Sequence, residues 1–262
     1  MRAVDREAAM GTSSPGWASG GAPGSASVGG PLYALAAGPE PATIADVIAR
    51  MEAIDGILPV TDGLKWFNQL YLTVTQQVDL HPPGGAWQSP GWLTRLDVVF
   101  ASLYFSALAG SLAGQSVPAA WQAVFESRFA SGIDRIQYAL AGINAHINHD
   151  LALALLRTDA DENVTPGPGS AERQDYDAVN GLLNTVLPGA LTALATDTLG
   201  VLAEDTGKVG RLLAFWDVVK ARNLAWDFAD HLRGLDPLGR TAALAAQDGV
   251  TGALGRAILA MI

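Results

Sequence analysis

The sequence predicts an all-α fold: one multi-helix bundle arranged around a central buried helix at about 133–157. Three observations carry this expectation. Segments with apolar residues at helical spacing follow one another, divided by Pro/Gly breakers. Few stretches alternate strictly, and no Asn-Gly hairpin signal lies between alternating runs. The segment IDRIQYALAGINAHINHDLALALLRT (133–158) is apolar on nearly every side, as expected of a helix enclosed by others.

Taken in order, residues 11–30 are nearly all Gly, Ser, Ala and Pro, too poor in large apolar groups to offset ordering entropy. Residues 1–38 are therefore expected to be an unstructured tail, with Trp17 a lone aromatic in it, and a single domain is expected over 40–262. PATIADVIARMEAI reads as its first helix, with Thr43 as N-cap. TDGLKWFNQLYLTVTQQV (61–78) follows, with Phe67, Leu70, Tyr71, Val74 and Val78 at helical spacing. HPPGGAWQSPG (81–91) breaks the pattern with three prolines and three glycines. WLTRLDVVFASLYFSALAGSLA (92–113) and PAAWQAVFESRF (118–129) are the next helices, Pro118 suiting a first turn. After the central helix comes a polar loop, RTDADENVTPGPGSAERQ. Then come DYDAVNGLLNTVL, ALTALATDTLGVLA, a long helix around GRLLAFWDVVKARNLAWDFADHLRGL, and TAALAAQDGVTGALGRAILAMI.

Composition narrows the function. The chain has 262 residues, 49% of them hydrophobic, and a formal charge of −10. A surface of that sign repels phosphate backbones, so no nucleic-acid partner is expected. Cysteine is absent, which removes disulfides, thiolate metal ligands and cysteine nucleophiles. The start, MRAVDREAAM, is charged where an export signal needs an apolar core. No uninterrupted apolar run reaches the roughly 18 residues of a spanning helix, so no transmembrane segment and a cytoplasmic location are expected.

The central helix carries the chemistry. Two of the four histidines stand here with Asp150. At about 100° per residue, His146, His149 and Asp150 fall along one band, and Asn144 and Asn148 along the opposite one. Gly142, one turn before His146, opens space for a ligand or a close helix crossing. Burying several titratable groups is costly unless they pair, so the band is either an active centre or a closed hydrogen-bond network. Asn144 is a substrate-binding candidate, with helix-to-helix hydrogen bonding as the competing role.

Asp97, on an otherwise apolar helix, forms an i, i+4, i+7 stripe with Ala101 and Tyr104. As a buried carboxylate it needs a partner: a central histidine, whose ring it would orient, or Arg95, Arg128 or Arg222. Tyr104, Tyr71 and Asn68 are further substrate-binding candidates. Trp216, Arg222 and Trp226 are expected to supply packing and a buried cation. Asp175, Tyr176, Asp177 and Asn180 suit the first turn of a helix. His81 and His231 are expected in solvent.

The segments DGLKWFNQLYLTVTQQV, LDVVFASLYFSAL, PAAWQAVFESR, AGINAHINHDLALAL, DYDAVN and ARNLAWDFADHL together resemble a bacterial family of helical proteins known only as a domain of unknown function. The resemblance runs from about 44 to 260, with NAHINHDL its specific part; Ile143 stands where the pattern has methionine. It implies an all-α fold with Asp97, His146, His149 and Asp150 as the polar centre, and no activity.

Two classes of function follow. One is an enzyme acting on a small organic molecule, with His146 or His149 as general acid or base and Asp97 or Asp150 orienting the ring. Hydrolysis, elimination, isomerisation and cyclisation all fit. A metal-assisted variant uses His146, His149 and Asp150 as ligands, a set suited to zinc or iron. The other class is a non-catalytic protein that binds an apolar metabolite or a partner helix. No P-loop, dinucleotide fingerprint, GxSxG elbow or HExxH is present.

Overall fold

A computed structural model describes residues 30–81, 86–195 and 217–260, and among these there are helices and no strand. The reading of 1–29 as a tail, with Trp17, lies outside the described residues, as do Trp216 and the stretch 196–216. Order begins earlier than expected: α1 (Pro31–Ala36) starts on a proline and buries Leu32 and Ala36 against α2 and α4. Two apolar residues one turn apart are enough to seat it.

Thr43 caps α2 (Ile44–Ile57) as expected, in a reciprocal box with Asp46: the Asp46 amide donates to Thr43 Oγ1 at 3.1 Å, and the Thr43 amide to Asp46 Oδ2 at 3.0 Å. The chain continues through α3 (Leu64–Leu80), α4 (Pro90–Leu112) and α5 (Ala119–Glu126), with Pro118 at the N-cap of α5. By length and composition α4 could cross a membrane, although Arg95 and Asp97 interrupt it. Of its most apolar stretch, 61% is buried inside the bundle, which is the position of a core helix.

The expected central helix is three pieces: α6 (Arg135–Ala145), a π-helical turn (His146–Asp150) and α7 (Leu151–Asp161). It is central nonetheless, contacted by α3, α4 and α5 and by the last two helices. α8 (Ala171–Ala195) joins two segments read separately in the sequence. Pro188 lies on its exposed side, where water can satisfy the carbonyl that loses its N–H partner. α9 (Val218–Arg233) begins where the Asp217 carboxylate accepts the Lys220 amide at 2.9 Å, so the described helix starts later than 210.

α10 (Pro237–Ala260) crosses α5 closely. A Cβ on Gly252 would lie 2.6 Å from the Ala119 carbonyl oxygen. The crossing is pinned to α6 by Gln137 Nε2 donating to the Ile258 carbonyl at 2.8 Å and Asn144 Nδ2 to the Thr251 carbonyl at 2.9 Å.

The space left by Gly142 is taken by α3, not by a ligand. A Cβ there would lie 2.3 Å from the Phe67 ring. Gly142→Ala should therefore destabilise the protein by about 1–3 kcal/mol in urea unfolding, despite a helix-propensity gain of about 1 kcal/mol. Unchanged or increased stability would contradict this packing.

Candidate functional site

Opening one turn of the central helix to i→i+5 bonding re-aims the residues within it, and such π turns recur at functional sites. Here it lets one carboxylate serve two histidines. Asp150 Oδ2 lies 3.0 Å from His146 Nδ1, and Oδ1 lies 2.8 Å from His149 Nδ1. Trp121 Nε1–H, from α5, donates to Oδ2 at 2.9 Å. All of these side chains are buried. On α10, Asp248 approaches His149 Nε2 at 3.7 Å and accepts the Ala119 and Ala120 amides, both at 2.9 Å.

These contacts set the protonation states. Burial works to raise the Asp150 carboxyl, but the hydrogen bonds from both histidines outweigh it and hold the group below the usual carboxylate range. Both Nδ1 atoms must then carry the proton and donate. For His149, burial acts to lower the pKa, but the Asp150 bond and the charges of Asp150 and Asp248 prevail, and it rises. For His146 burial wins: despite Asp150 its pKa is lowered, with the His149 charge adding to the effect. His146 is thus held neutral, with its lone pair on Nε2.

That Nε2 is buried and has no hydrogen-bond partner among the described residues. Aromatic rings fix the imidazole instead. Phe100 stacks on it with centroids 3.5 Å apart and planes at 6°, and Tyr71 meets it edge-on at 4.6 Å.

His146, Phe100 and Tyr71 form one wall of a cavity of ≈ 80 Å³ between α3, α4, α6, α8 and α9. Its lining is mainly apolar, and Asp97 and Arg222 also face it. Among the described residues Asp97 has neither a hydrogen bond nor an ion pair. Desolvation pushes its carboxyl up to about 7; the Arg222 charge opposes this and the Asp79 charge adds to it. Asp97 stands one helical turn before Phe100, and so on the side of the helix that meets the imidazole. Tyr71 is pushed well above the ordinary phenol value by burial and by Asp97 and Asp150, and remains a donor.

The other predicted residues lie elsewhere. Asn68 donates through Nδ2 to the Met51 carbonyl at 2.9 Å and accepts from the Tyr104 hydroxyl at 3.3 Å; neither Asn68 nor Tyr104 lines the cavity. Asn144 is committed to α10, and Asn148 donates to Asn144 Oδ1 at 3.0 Å. These residues tie helices together rather than face a substrate. Asp97 pairs directly with none of its expected partners: Arg95 binds Glu40 and Asp161, and Arg128 binds Asp62. His81 and His231 are exposed, as expected.

The proposed metal triad is not assembled. Both Nδ1 atoms turn to Asp150, while His149 Nε2 turns to Asp248 and His146 Nε2 into the aromatic box. Among the described residues no group of three His, Cys, Asp or Glu side chains is placed to hold an ion. Zinc or iron at His146, His149 and Asp150 does not fit these donors.

Four participants escaped the sequence reading. Trp121 gave a weak signal, since a buried indole N–H seeks a partner. Phe100 and Asp248 gave none, because their roles depend on helix crossings far apart in the chain. For Arg222 the sequence offers packing, a buried cation and a partnership with Asp97, with no sign that it faces a cavity.

Fold and site together define an all-α protein with a carboxylate-bridged histidine pair beside a largely apolar cavity. The chain belongs to the family of unknown function DUF5995, which it matches over residues 44–261. No curated protein and no solved structure matches it.

Asp97 sets a dependence on pH. Its folded pKa, about 7, exceeds its ordinary value of 3.8. Its contribution to stability is therefore fully present below about 4 and is lost as pH rises through about 7. Asp97→Asn should match wild type near pH 4 and exceed it near pH 8 by about 1–3 kcal/mol, water in the cavity screening part of the cost. Thermal unfolding of both proteins across that range checks this; a difference that does not change with pH would contradict it.

Proposed function

We propose that the protein is an acid–base catalyst for a small organic molecule bound in the cavity between α3, α4, α8 and α9. One observation carries the reading: the Nε2 of a neutral, buried His146 has no partner among the described residues while its Nδ1 is anchored to an ionised carboxylate. A nitrogen so placed can take a proton. The imidazolium that forms is stabilised by Asp150, which already holds the opposite nitrogen. Trp121 and His149 keep Asp150 in place, and Phe100 and Tyr71 keep the ring in plane.

Asp97 is the complementary acid. A carboxyl that titrates near neutrality shares the cavity with a histidine held neutral, and two groups pushed apart in this way divide the roles of acid and base. His146 removes a proton from the substrate and protonated Asp97 supplies one at another atom. Isomerisation and elimination require that pair of transfers, and hydrolysis or cyclisation can use the same two groups. A second reading, ligand binding without turnover, is favoured by the mainly apolar lining.

The test is incubation in heavy water with short-chain ketones, aldehydes and esters, following exchange and turnover by proton NMR. Wild type should catalyse exchange or conversion of at least one class. His146→Gln should lose about 10²-fold or more of that rate while remaining folded by circular dichroism. Turnover unchanged by His146→Gln would overturn the reading. Binding without turnover in both proteins would favour the second reading, and unfolding of His146→Gln would mark the cluster as a structural lock.

A further inference from the structure

Arg222 is a buried cation that makes no ion pair among the described residues. On α9 it is 6% exposed, and its Nε donates to Asn180 Oδ1 at 2.6 Å. Its guanidinium lies over the Tyr176 ring at 4.2 Å, and the Tyr176 hydroxyl donates to the Arg222 carbonyl at 2.6 Å. Those contacts hold the plane of the guanidinium but neutralise nothing. Among the described residues its terminal nitrogens have no hydrogen bond and no ion pair, and Arg222 lines the cavity that holds His146 and Asp97.

A permanently charged group enclosed in apolar surroundings is costly unless an anion meets it. Asp97 can escape the same difficulty by keeping its proton; arginine cannot. The unmet demand in the cavity is therefore for negative charge, presented to a planar fork of donors.

We propose that the cavity takes a small monocarboxylate, its carboxylate on the terminal nitrogens of Arg222 and its apolar body against Phe100, Tyr71 and Ile147. That this ligand is a substrate rests on the reading of His146 as the base; its chemical class does not. A planar carboxylate matches the guanidinium fork with two parallel hydrogen bonds. A phosphate would bring a second charge and further acceptors into a pocket whose wall is mostly aliphatic and aromatic. The volume limits the size. A protein cavity of about 150 Å³ admits benzene, and this one is ≈ 80 Å³, which limits the ligand to an acid of about two to four carbons. Leu183, Leu187 and Val218 line both this cavity and an open groove of ≈ 530 Å³ between α8 and α9, so those side chains stand between the two.

The experiment is calorimetric titration of the full chain with propanoate and butanoate, each paired with the amide of the same length. The acids should bind at least about tenfold more tightly than their amides, Arg222→Gln should abolish that preference, and His146→Gln should retain it. Amides that bind as tightly as acids, or a preference that survives Arg222→Gln, would overturn the assignment. If Arg222→Gln does not fold, the acid–amide comparison on wild type decides alone. A neutral compound turned over through His146 while no acid binds would refute the carboxylate and leave the catalytic reading intact. A carboxylate preference without any turnover would do the reverse.

Discussion

One buried carboxylate organises the middle of this molecule. Asp150 accepts hydrogen bonds from His146, His149 and Trp121, and so joins the π turn of the central helix to α5. Without those donors a charge so far from water would be untenable; with them it stays ionised and dictates where the protons of both rings lie. A second carboxylate extends the constraint. Asp248 reaches His149 from α10 while capping the first amides of α5, so three helices converge on one electrostatic arrangement. Removal of any one member leaves a buried charge or a buried donor uncompensated, which costs more than the bond itself.

The two histidines are consequently not equivalent. His149 lies between two carboxylates and is pushed toward the charged form, whereas His146 lies among aromatic rings and is pushed toward the neutral one. The difference leaves a bare Nε2 on the histidine that lines the cavity and favours positive charge on the histidine that faces Asp248. Across the cavity Asp97 and Arg222 are both short of direct partners. Internal locks close their polar groups on one another, as Asn144, Asn148 and Gln137 do against α10. His146 Nε2, the Asp97 carboxyl and the terminal nitrogens of Arg222 have no such partner among the described residues, and all three residues line one cavity.

Much of this was legible in the chain. The all-α class, the Thr43 cap, the central position of 133–158 and the pairing of His146 with Asp150 followed from periodicity, capping chemistry and i, i+4 spacing. The π turn did not, because nothing local marks where a helix will widen; it sits where α4, α5, α9 and α10 converge on the central helix. Helical spacing puts His149 and Asp150 on the same band but does not predict a direct bond between neighbours, and in the π turn their side chains meet at 2.8 Å. Gly142 was correctly flagged as vacant space, but its occupant, Phe67, comes from a helix some 70 residues earlier in the chain. Asn68, Tyr104 and Asn144 looked like site residues because a polar group on an apolar helix has the same appearance whether it binds a ligand or another helix. Only the crossing geometry distinguishes the two.

The central claim is that Asp150 holds His146 neutral, with Nδ1 protonated and Nε2 bare. Nitrogen-15 NMR of the histidine rings across about pH 5 to 8 observes this directly. The account predicts that His146 carries its proton on Nδ1 and gains a second proton only at lower pH than an ordinary imidazole. His149 should gain its second proton at higher pH than an ordinary imidazole, and Asp150→Asn should abolish the distinction between the two. A His146 that becomes doubly protonated near pH 7, or that carries its proton on Nε2, would contradict the account.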